Sequence, residues 1–168
     1  MNVGANTETD YGLYFAWGET EGYTASQVGS GEGKKYFGWS DYKYANGASN
    51  KLTKYCGDSS YGNEGFTDTL TTLELSDDAA YVNWGGDWRM PTGEMFEKLT
   101  ANTTVIWTTV SGVSGVTFTA ANGNSLFIPP AGICYGGRVN GAGNAGACWS
   151  SSVTSGNEAV YLTCQDGY

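Results

Sequence analysis

The sequence contains no histidine, and its 8 basic residues against 17 acidic ones give it a formal net charge of −9. Histidine is the commonest general base and the commonest transition-metal ligand, so its absence excludes histidine-dependent triads and most zinc chemistry. A chain this acidic repels phosphate backbones and anionic lipids, so we expect no binding to nucleic acid or to a membrane surface. Carboxylate pairs, cysteine–carboxylate sites and hard-cation sites remain open.

Long apolar runs are also absent from the chain. No stretch approaches the roughly 20 residues that a membrane-spanning helix needs. The first ten residues, MNVGANTETD, have neither the positive region nor the apolar region of a secretory signal peptide. We therefore expect no membrane insertion by this segment.

Proline is scarce, at 3 residues, whereas the 168 residues include 26 glycines, six tryptophans and twelve tyrosines. Many glycines and few charges favour an ordered, loop-rich chain of the mostly β or α+β class with little long helix. The two short helices and the later hairpins described below favour α+β. Each aromatic side chain can remove roughly 150–250 Å² from water, so the aromatic residues are the main resource for burial. The length predicts a single domain that spans residues 1–168.

Two short helices are expected near the middle of the chain. Ser76 is the candidate N-cap of the first, within 75–86, where Asp77 and Asp78 favour the positive end of the helix dipole. Thr92 caps the second, and Met95, Phe96 and Leu99 are predicted to form its apolar face.

Extended segments are predicted on both sides of these helices. Alternating apolar residues over 11–19 indicate a strand, and residues 105–110 are rich in β-formers. Residues 115–130 read as a hairpin that turns at Asn-Gly-Asn, and two further strands are expected at 148–152 and 159–164. The glycine-rich stretch 135–147 is predicted to be a loop, and its lack of flanking elements makes a phosphate-binding role improbable.

The four cysteines, Cys56, Cys134, Cys148 and Cys164, form no CxxC unit and have no metal-ligand spacing. Small buried or half-buried thiols are the favoured interpretation. A Cys148–Cys164 bridge is the alternative, and it requires neighbouring antiparallel strands with a Cα separation near about 5.5 Å.

Four acidic residues, Asp68, Glu74, Asp77 and Asp78, lie close together in the sequence. They could supply oxygen ligands to Ca²⁺, but their spacing matches no known calcium loop. Helix capping and solvated charge are the favoured explanation. No cofactor and no metal are therefore assigned.

The sequence CWSSS, at 148–152, raises the question of a serine nucleophile. A serine needs an adjacent base, and neither a histidine nor a Ser-x-x-Lys pattern is present, so we expect no catalysis here. If these residues form a strand, Trp149 and Ser151 share one face while Ser150 and Ser152 share the other. We expect Trp149 to anchor the core.

Several long motifs together carry a resemblance to a known family. They are NVGA, DYGLYFAWGETEGY, YKYANG, LTKYC, DDAAYVNWGGDWRMPT, NGNSLFIPPAG and WSSS. In these motifs the chain resembles the Fibrobacter succinogenes major paralogous domain of gut Bacteroidota and their phages, and the resemblance covers almost the whole chain. It implies a C-type-lectin-like fold, related in shape to the formylglycine-generating enzyme and to the variable proteins of diversity-generating retroelements.

The resemblance also implies roles for individual residues. It implies a scaffold role for a set of aromatic and neighbouring residues: Trp17, Trp84, Trp88, Arg89, Pro91 and Trp149. It implies ligand binding on the C-terminal segment around WSSS, and no oxidase chemistry, because the catalytic cysteine motif of the formylglycine enzymes has no counterpart here. The Glu-Pro-Asn type of sugar site known from lectins is absent as well.

The sequence departs from the family pattern in two ways. The strand that usually precedes NVGA and the last strand of the family are missing, so the domain is expected to lack both. Cys134, Cys148 and Cys164 stand where aromatic residues are usual, within a tail that carries many small substitutions. Adenine-targeted diversification by a retroelement would produce such substitutions, and ordinary drift within the family is the alternative.

The predicted function is ligand binding, of the receptor or adhesin type, with a protein or glycan partner, no enzymatic activity, and an extracellular location on a bacterial cell or a phage virion. Trp149 and Leu162 are expected to be buried, and Ser150 and Thr163 to be more exposed. The alternatives are a structural surface module without a ligand and a carboxylate-based hydrolase, which would need two carboxylates about 5–10 Å apart in a cleft. The expected binding surface lies within about 134–168 and consists of Tyr135, Arg138, Asn140, Asn144, Ser150, Ser152, Tyr161, Thr163, Gln165 and Tyr168.

Overall fold

A computed structural model of the chain describes residues 1–154 and 156–167. The described residues form an α+β structure with two α-helices, three short 3₁₀ turns and seven strands, which confirms the predicted class. The predicted ligand contact Tyr168 lies outside the described residues. The elements are α1 (Ala79–Trp84), α2 (Gly93–Ala101), β1 (Thr103–Val110), β2 (Val113–Ala120), β3 (Ser125–Ile128), β4 (Ile133–Tyr135), β5 (Arg138–Asn140), β6 (Ala145–Val153) and β7 (Ala159–Gln165).

The largest sheet has three antiparallel strands in the order β1-β2-β3. The predicted β-rich segment at 105–110 and the predicted hairpin at 115–130 are both confirmed. Strand residues two positions apart share a face, so Val116 and Phe118 point to one side of the sheet, and Ile128 points to the same side. All three are buried. Together with Cys164 they form the second core cluster of the molecule.

The two helices begin at polar side chains that accept backbone hydrogen bonds. Thr92 caps α2 as predicted, with Oγ1 accepting from Met95 N at 3.2 Å. The predicted cap Ser76 is wrong for α1: residues 75–77 form a separate 3₁₀ turn, and the Asp78 carboxylate caps the helix. Met95 is exposed rather than part of the apolar face of α2.

The first seventy residues contain no strand among those described, so the strand predicted at 11–19 is wrong. Between residues 11 and 19 the described structure has one isolated bridge, from Tyr14 to Tyr23. Gly12 and Gly18 have positive φ angles of 74° and 72°, which end an extended run at both sides. This region folds instead around the first core cluster, which consists of Trp17, Tyr44, Tyr55 and Leu73.

The stretch predicted as a loop at 135–147 contains a hairpin, β4–β5. Gly136 and Gly137 form its two-residue turn and both have positive φ, at 59° and 73°. Two-residue hairpin turns of the I′ type need positive φ at both central positions, which Gly-Gly supplies without steric cost. The dipeptide was therefore the sequence signal for this hairpin.

The two strands predicted at 148–152 and 159–164 are confirmed as the antiparallel pair β6–β7. This pair packs against both core clusters. Val153 and Ala159, at one end, contact the first cluster, whereas Cys148 and Leu162 contact the second. Among the described residues no helix is long and apolar enough to cross a membrane.

Candidate functional site

The acidic residues near the helices are engaged in structural contacts. Asp77 is buried and accepts hydrogen bonds from Lys54 Nζ at 2.6 Å, from Tyr55 Oη at 2.6 Å and from Lys43 Nζ at 3.2 Å. Burial opposes its ionisation, but hydrogen bonds from Lys54 and the neighbouring tyrosines outweigh burial and hold its pKa well below the ordinary value. Asp77 thus has a structural role, in which it joins Lys43, Lys54 and Tyr55, rather than the role of a calcium ligand.

The other members of the acidic group have similar roles. Asp68 accepts from the backbone N–H groups of Tyr55 and Cys56, and Asp78 accepts from Tyr81 N and Met90 N. The favoured explanation by helix capping is confirmed for Asp78. Over residues 1–154 and 156–167, no group of three or more acidic or cysteine side chains is arranged to hold a metal ion.

The four cysteines are free thiols, two of them buried and two half-buried, which confirms the favoured interpretation. Although β6 and β7 are neighbours, Cys148 lies opposite Leu162 and Cys164 lies opposite Gly146. The two cysteines are therefore diagonal rather than directly opposite, and both are free thiols, Cys164 in the second core cluster and Cys148 packed against it. Burial also raises the pKa of the Cys134 thiol to about 12, so this sulfur stays protonated at neutral pH.

The serine cluster departs from the predicted alternation, because the register of β6 is irregular between Trp149 and Val153 and both Ser150 and Ser151 are buried. Ser150 is 0% exposed, and Ser151 and Ser152 are buried or half-buried. Trp17 Nε1 donates to Ser150 O at 2.8 Å, and Gly93 N donates to Ser152 Oγ at 3.1 Å. These serines let neighbouring segments approach closely, so Ser150 and Ser152 do not belong to an outer surface.

Trp149, expected in the core, is 38% exposed and lies on the outer face of β6–β7. The reason is the strand register: Trp149 lies directly opposite Tyr161, and paired residues project from the same side of a sheet. Their rings meet edge to face, with centroids 5.6 Å apart, and Trp149 Nε1 donates to Phe15 O at 3.0 Å. Thr163 is exposed and Leu162 half-buried, in the predicted direction.

Most of the remaining predicted residues lie at the surface. Tyr135 is 72% exposed and Tyr161 is 52% exposed. Exposed positions among the predicted residues are Tyr135, Arg138, Asn140, Asn144, Tyr161, Thr163 and Gln165. Asn144 lies in the turn before β6, and the others lie on strands. Whether any of them contacts a ligand stays a prediction.

The hairpin β4–β5 and the pair β6–β7 adjoin each other at two glycines. Gly132 bridges Gly146 in parallel orientation, and Gly132 N donates to Ala145 O at 2.8 Å. A Cβ on Gly146 would lie 2.8 Å from Ala131 N, so the close approach requires glycine there. Tyr135 and Trp149 are both exposed and line the same cleft. We call the outward set Tyr135, Arg138, Asn140, Trp149, Tyr161, Thr163 and Gln165 the sheet face.

A cleft of about 900 Å³ runs beside the sheet face. Its lining is mainly aromatic and apolar, and it includes Tyr135, Trp149 and Tyr161. Within the described residues, Asp41 is the one carboxylate that lines it, and Asp41 accepts hydrogen bonds from the backbone of Tyr36 and Gly38. The paired carboxylates of the hydrolase alternative do not meet in this cleft.

Sequence reasoning missed two contributors to this region. Trp149 was assigned to the interior, and Ile133, 47% exposed on β4, was not considered. The register of two strands fixes the face of Trp149, and a single-strand alternation pattern leaves that choice open.

The tryptophans given a scaffold role by resemblance divide into two kinds. Trp17 is 7% exposed and its ring contacts Tyr55 edge to face at 5.0 Å, so it belongs to the first core cluster. Trp84 and Trp88 are instead 39% and 60% exposed. Pro91 O accepts a hydrogen bond from Ser151 N at 2.8 Å and so ties the segment before α2 to β6.

Comparison with known proteins gives no matching family model, no matching curated protein and no matching solved structure. The geometry of the chain therefore carries the functional argument.

Proposed function

We propose that this chain is a non-catalytic binding domain with a C-type-lectin-like fold, and that its sheet face contacts a protein ligand. The observation that supports this most is that three large aromatic side chains, Tyr135, Trp149 and Tyr161, are exposed and line one cleft. A contiguous exposed apolar surface on a folded chain is more often an interaction site than a surface without a partner.

The composition of the sheet face suits protein recognition. Tyrosine, tryptophan and arginine are the residues most enriched at energetic hot spots, and Asn, Thr and Gln supply adaptable hydrogen bonds. Trp149 is held by its contact with Tyr161 and by its bond to Phe15 O, so little conformational entropy is lost when a partner binds.

The surface is also separable from the core. Thr163 and Gln165 project outward while Cys164 between them is buried. Substitutions at the outward positions therefore change the surface and leave the packing intact, which is what a diversified tail requires. Diversification by a retroelement and an outer location on a bacterial cell or phage virion are part of this proposal.

The test uses the labelled chain and a panel of intact gut bacterial cells, with binding measured by flow cytometry. We expect binding to at least one strain, and we expect trypsin treatment of those cells to remove it. The triple variant Tyr135→Ala, Arg138→Ala, Tyr161→Ala should lose binding while its circular dichroism spectrum stays unchanged.

The matched control is Ile106→Ala, which removes an exposed apolar side chain from β1, on a different sheet. It should bind as the wild type does. Unchanged binding by the triple variant, or no binding to any strain, would contradict the proposal and favour a structural module without a ligand.

A further inference from the structure

A second exposed aromatic surface lies on the segment from Tyr81 to Met90, which we call the tryptophan loop. Trp84 ends α1, and Trp88 follows after a tight turn at Gly85 and Gly86. The two indole rings meet with centroids 4.9 Å apart at an angle of 64°, and both line the cleft. The pair thus presents two adjoining aromatic faces to solvent.

The tryptophan loop is held in place at both ends by one side chain. Asp78 accepts from Tyr81 N at 2.9 Å with Oδ1 and from Met90 N at 2.9 Å with Oδ2. Gly85 and Gly86 both have positive φ, at 72° and 56°, and Trp88 N donates to Gly85 O at 3.2 Å. The exposed indoles are therefore preorganised rather than loosely attached, which lowers the entropic cost of binding.

Hydrogen-bonding groups flank the exposed rings. Asp87 is exposed beside Trp88, and the Arg89 guanidinium lies 4.4 Å from the centre of the Tyr81 ring. Arg89 Nη1 makes both of its bonds to loop carbonyls, those of Gly86 and Trp88. Because arginine carries five N–H groups, donors remain for a ligand. The two neighbours of Trp88 in the sequence, Asp87 and Arg89, are thus exposed and offer an acceptor and donors.

We propose that the tryptophan loop, which lines the same cleft as Tyr135, Trp149 and Tyr161, is a binding site for a neutral pyranose oligosaccharide, and this proposal does not depend on the function proposed for the sheet face. A pyranose ring has an apolar C–H face that covers an indole, and its rim of hydroxyls both donates and accepts hydrogen bonds. Trp84 and Trp88 supply the faces, Asp87 accepts from hydroxyls, and Arg89 donates to them. Few polar groups around an apolar surface are what fixes the orientation of a small ligand.

Charge and size select this ligand class over the alternatives. The net charge of −9 disfavours uronate-rich or sulfated polymers. A stable protein interface needs about 800 Å² from each partner. Two indoles and their two flanking charged residues form a far smaller patch, whereas one or two sugar rings match it.

The experiment is affinity gel electrophoresis of the purified chain in gels that contain xylan, mixed-linkage β-glucan, galactomannan or polygalacturonate. We expect at least one neutral polysaccharide to retard the chain, with polygalacturonate giving no retardation. Trp88→Ala should weaken the binding at least about tenfold, corresponding to about 1.4 kcal/mol, and Trp88→Phe should restore part of it.

The sheet-face variant Tyr135→Ala, Tyr161→Ala separates this proposal from the preceding one, because it should be retarded like the wild type. The inference is overturned if no neutral polysaccharide retards the chain, if polygalacturonate alone does, or if Trp88→Ala is retarded unchanged. Loss of retardation in the sheet-face variant alone would also overturn it, by moving the glycan to the sheet face.

Discussion

The first seventy residues and the last sixty-five are stabilised in different ways. The early region has no strand among its described residues, and it is held by aromatic rings and buried charges. The Glu19–Lys35 ion pair at 2.7 Å is largely buried there, and Asp77 joins Lys43, Lys54 and Tyr55. The late region is held by strand pairing over an apolar core.

The difference teaches where each region tolerates change. Irregular backbone lacks the repeating ladder of a sheet, so it depends on individual side chains that each satisfy several groups. A strand pair satisfies its backbone whatever its outward side chains are. We therefore expect large effects from single substitutions in the early region and small effects on the sheet face.

Trp17→Ala tests this comparison most strongly. It removes a buried indole and its hydrogen bond to Ser150 O, so we expect a loss of about 3–5 kcal/mol in the free energy of unfolding, measured with urea. Trp88→Ala is the matched control and should cost less than about 1 kcal/mol. Equal losses of unfolding free energy in Trp17→Ala and Trp88→Ala would contradict this expectation.

Asp77→Asn should have the next largest effect. The variant keeps the shape of the side chain but leaves Lys54 and Tyr55 without a charged acceptor, so we expect a loss of about 2–4 kcal/mol in urea unfolding. Glu74→Gln removes only a half-exposed partner of Lys54 and should cost less than about 1 kcal/mol. A loss below that control would show that Asp77 is dispensable.

The same carboxylate makes stability depend on acid. Because the pKa of Asp77 is lower in the folded chain than in the unfolded one, its contribution is complete above about pH 4 and declines as the pH falls below that value. Urea midpoints between pH 7 and pH 2.5 should fall for the wild type and change less for Asp77→Asn. Parallel curves for the two proteins would refute the assignment.

Asp41 should account for part of the loss of stability at low pH that remains in the Asp77→Asn variant. Burial works against its ionisation, but hydrogen bonds from Gly38 N and Tyr36 N outweigh burial and lower its pKa.

Ser150→Val sharpens the comparison within a single strand pair. The side chain has no exposed surface, so replacing its hydroxyl by a methyl group and adding a second methyl group should cost about 1–3 kcal/mol. Thr163→Val, a similar change on the sheet face, should stay within about 0.5 kcal/mol. Thermal unfolding of both variants checks this. A destabilised Thr163→Val variant would show that the sheet face does not tolerate substitution.

Except for the β4–β5 hairpin, the strands of the late region were predictable because alternation and turn residues are local signals. The hairpin at Asn-Gly-Asn and the strands ending near 152 and 164 follow from them. The face of Trp149 was not predictable, because it depends on which residue of β7 lies opposite. A one-residue change of register would reverse the face.

The early region was predicted less well for a related reason. Apolar alternation at 11–19 suggested a strand, but Gly12 and Gly18 adopt positive φ and Trp17 is drawn into a cluster with Tyr44 and Tyr55. Those partners are distant in sequence, so no local pattern reveals them. The tryptophan loop was missed as a surface because the family resemblance implies a scaffold role for Trp84 and Trp88, whereas both are exposed.

The β6–β7 pair touches both core clusters, and this arrangement bears on how the chain opens. Neither core cluster can separate from the rest of the molecule unless it loses its contacts with β6 and β7. We expect amides in both halves to exchange with deuterium through one shared opening event. A molecule bound to β6–β7 would then slow the exchange of amides in both halves, including amides that it does not contact.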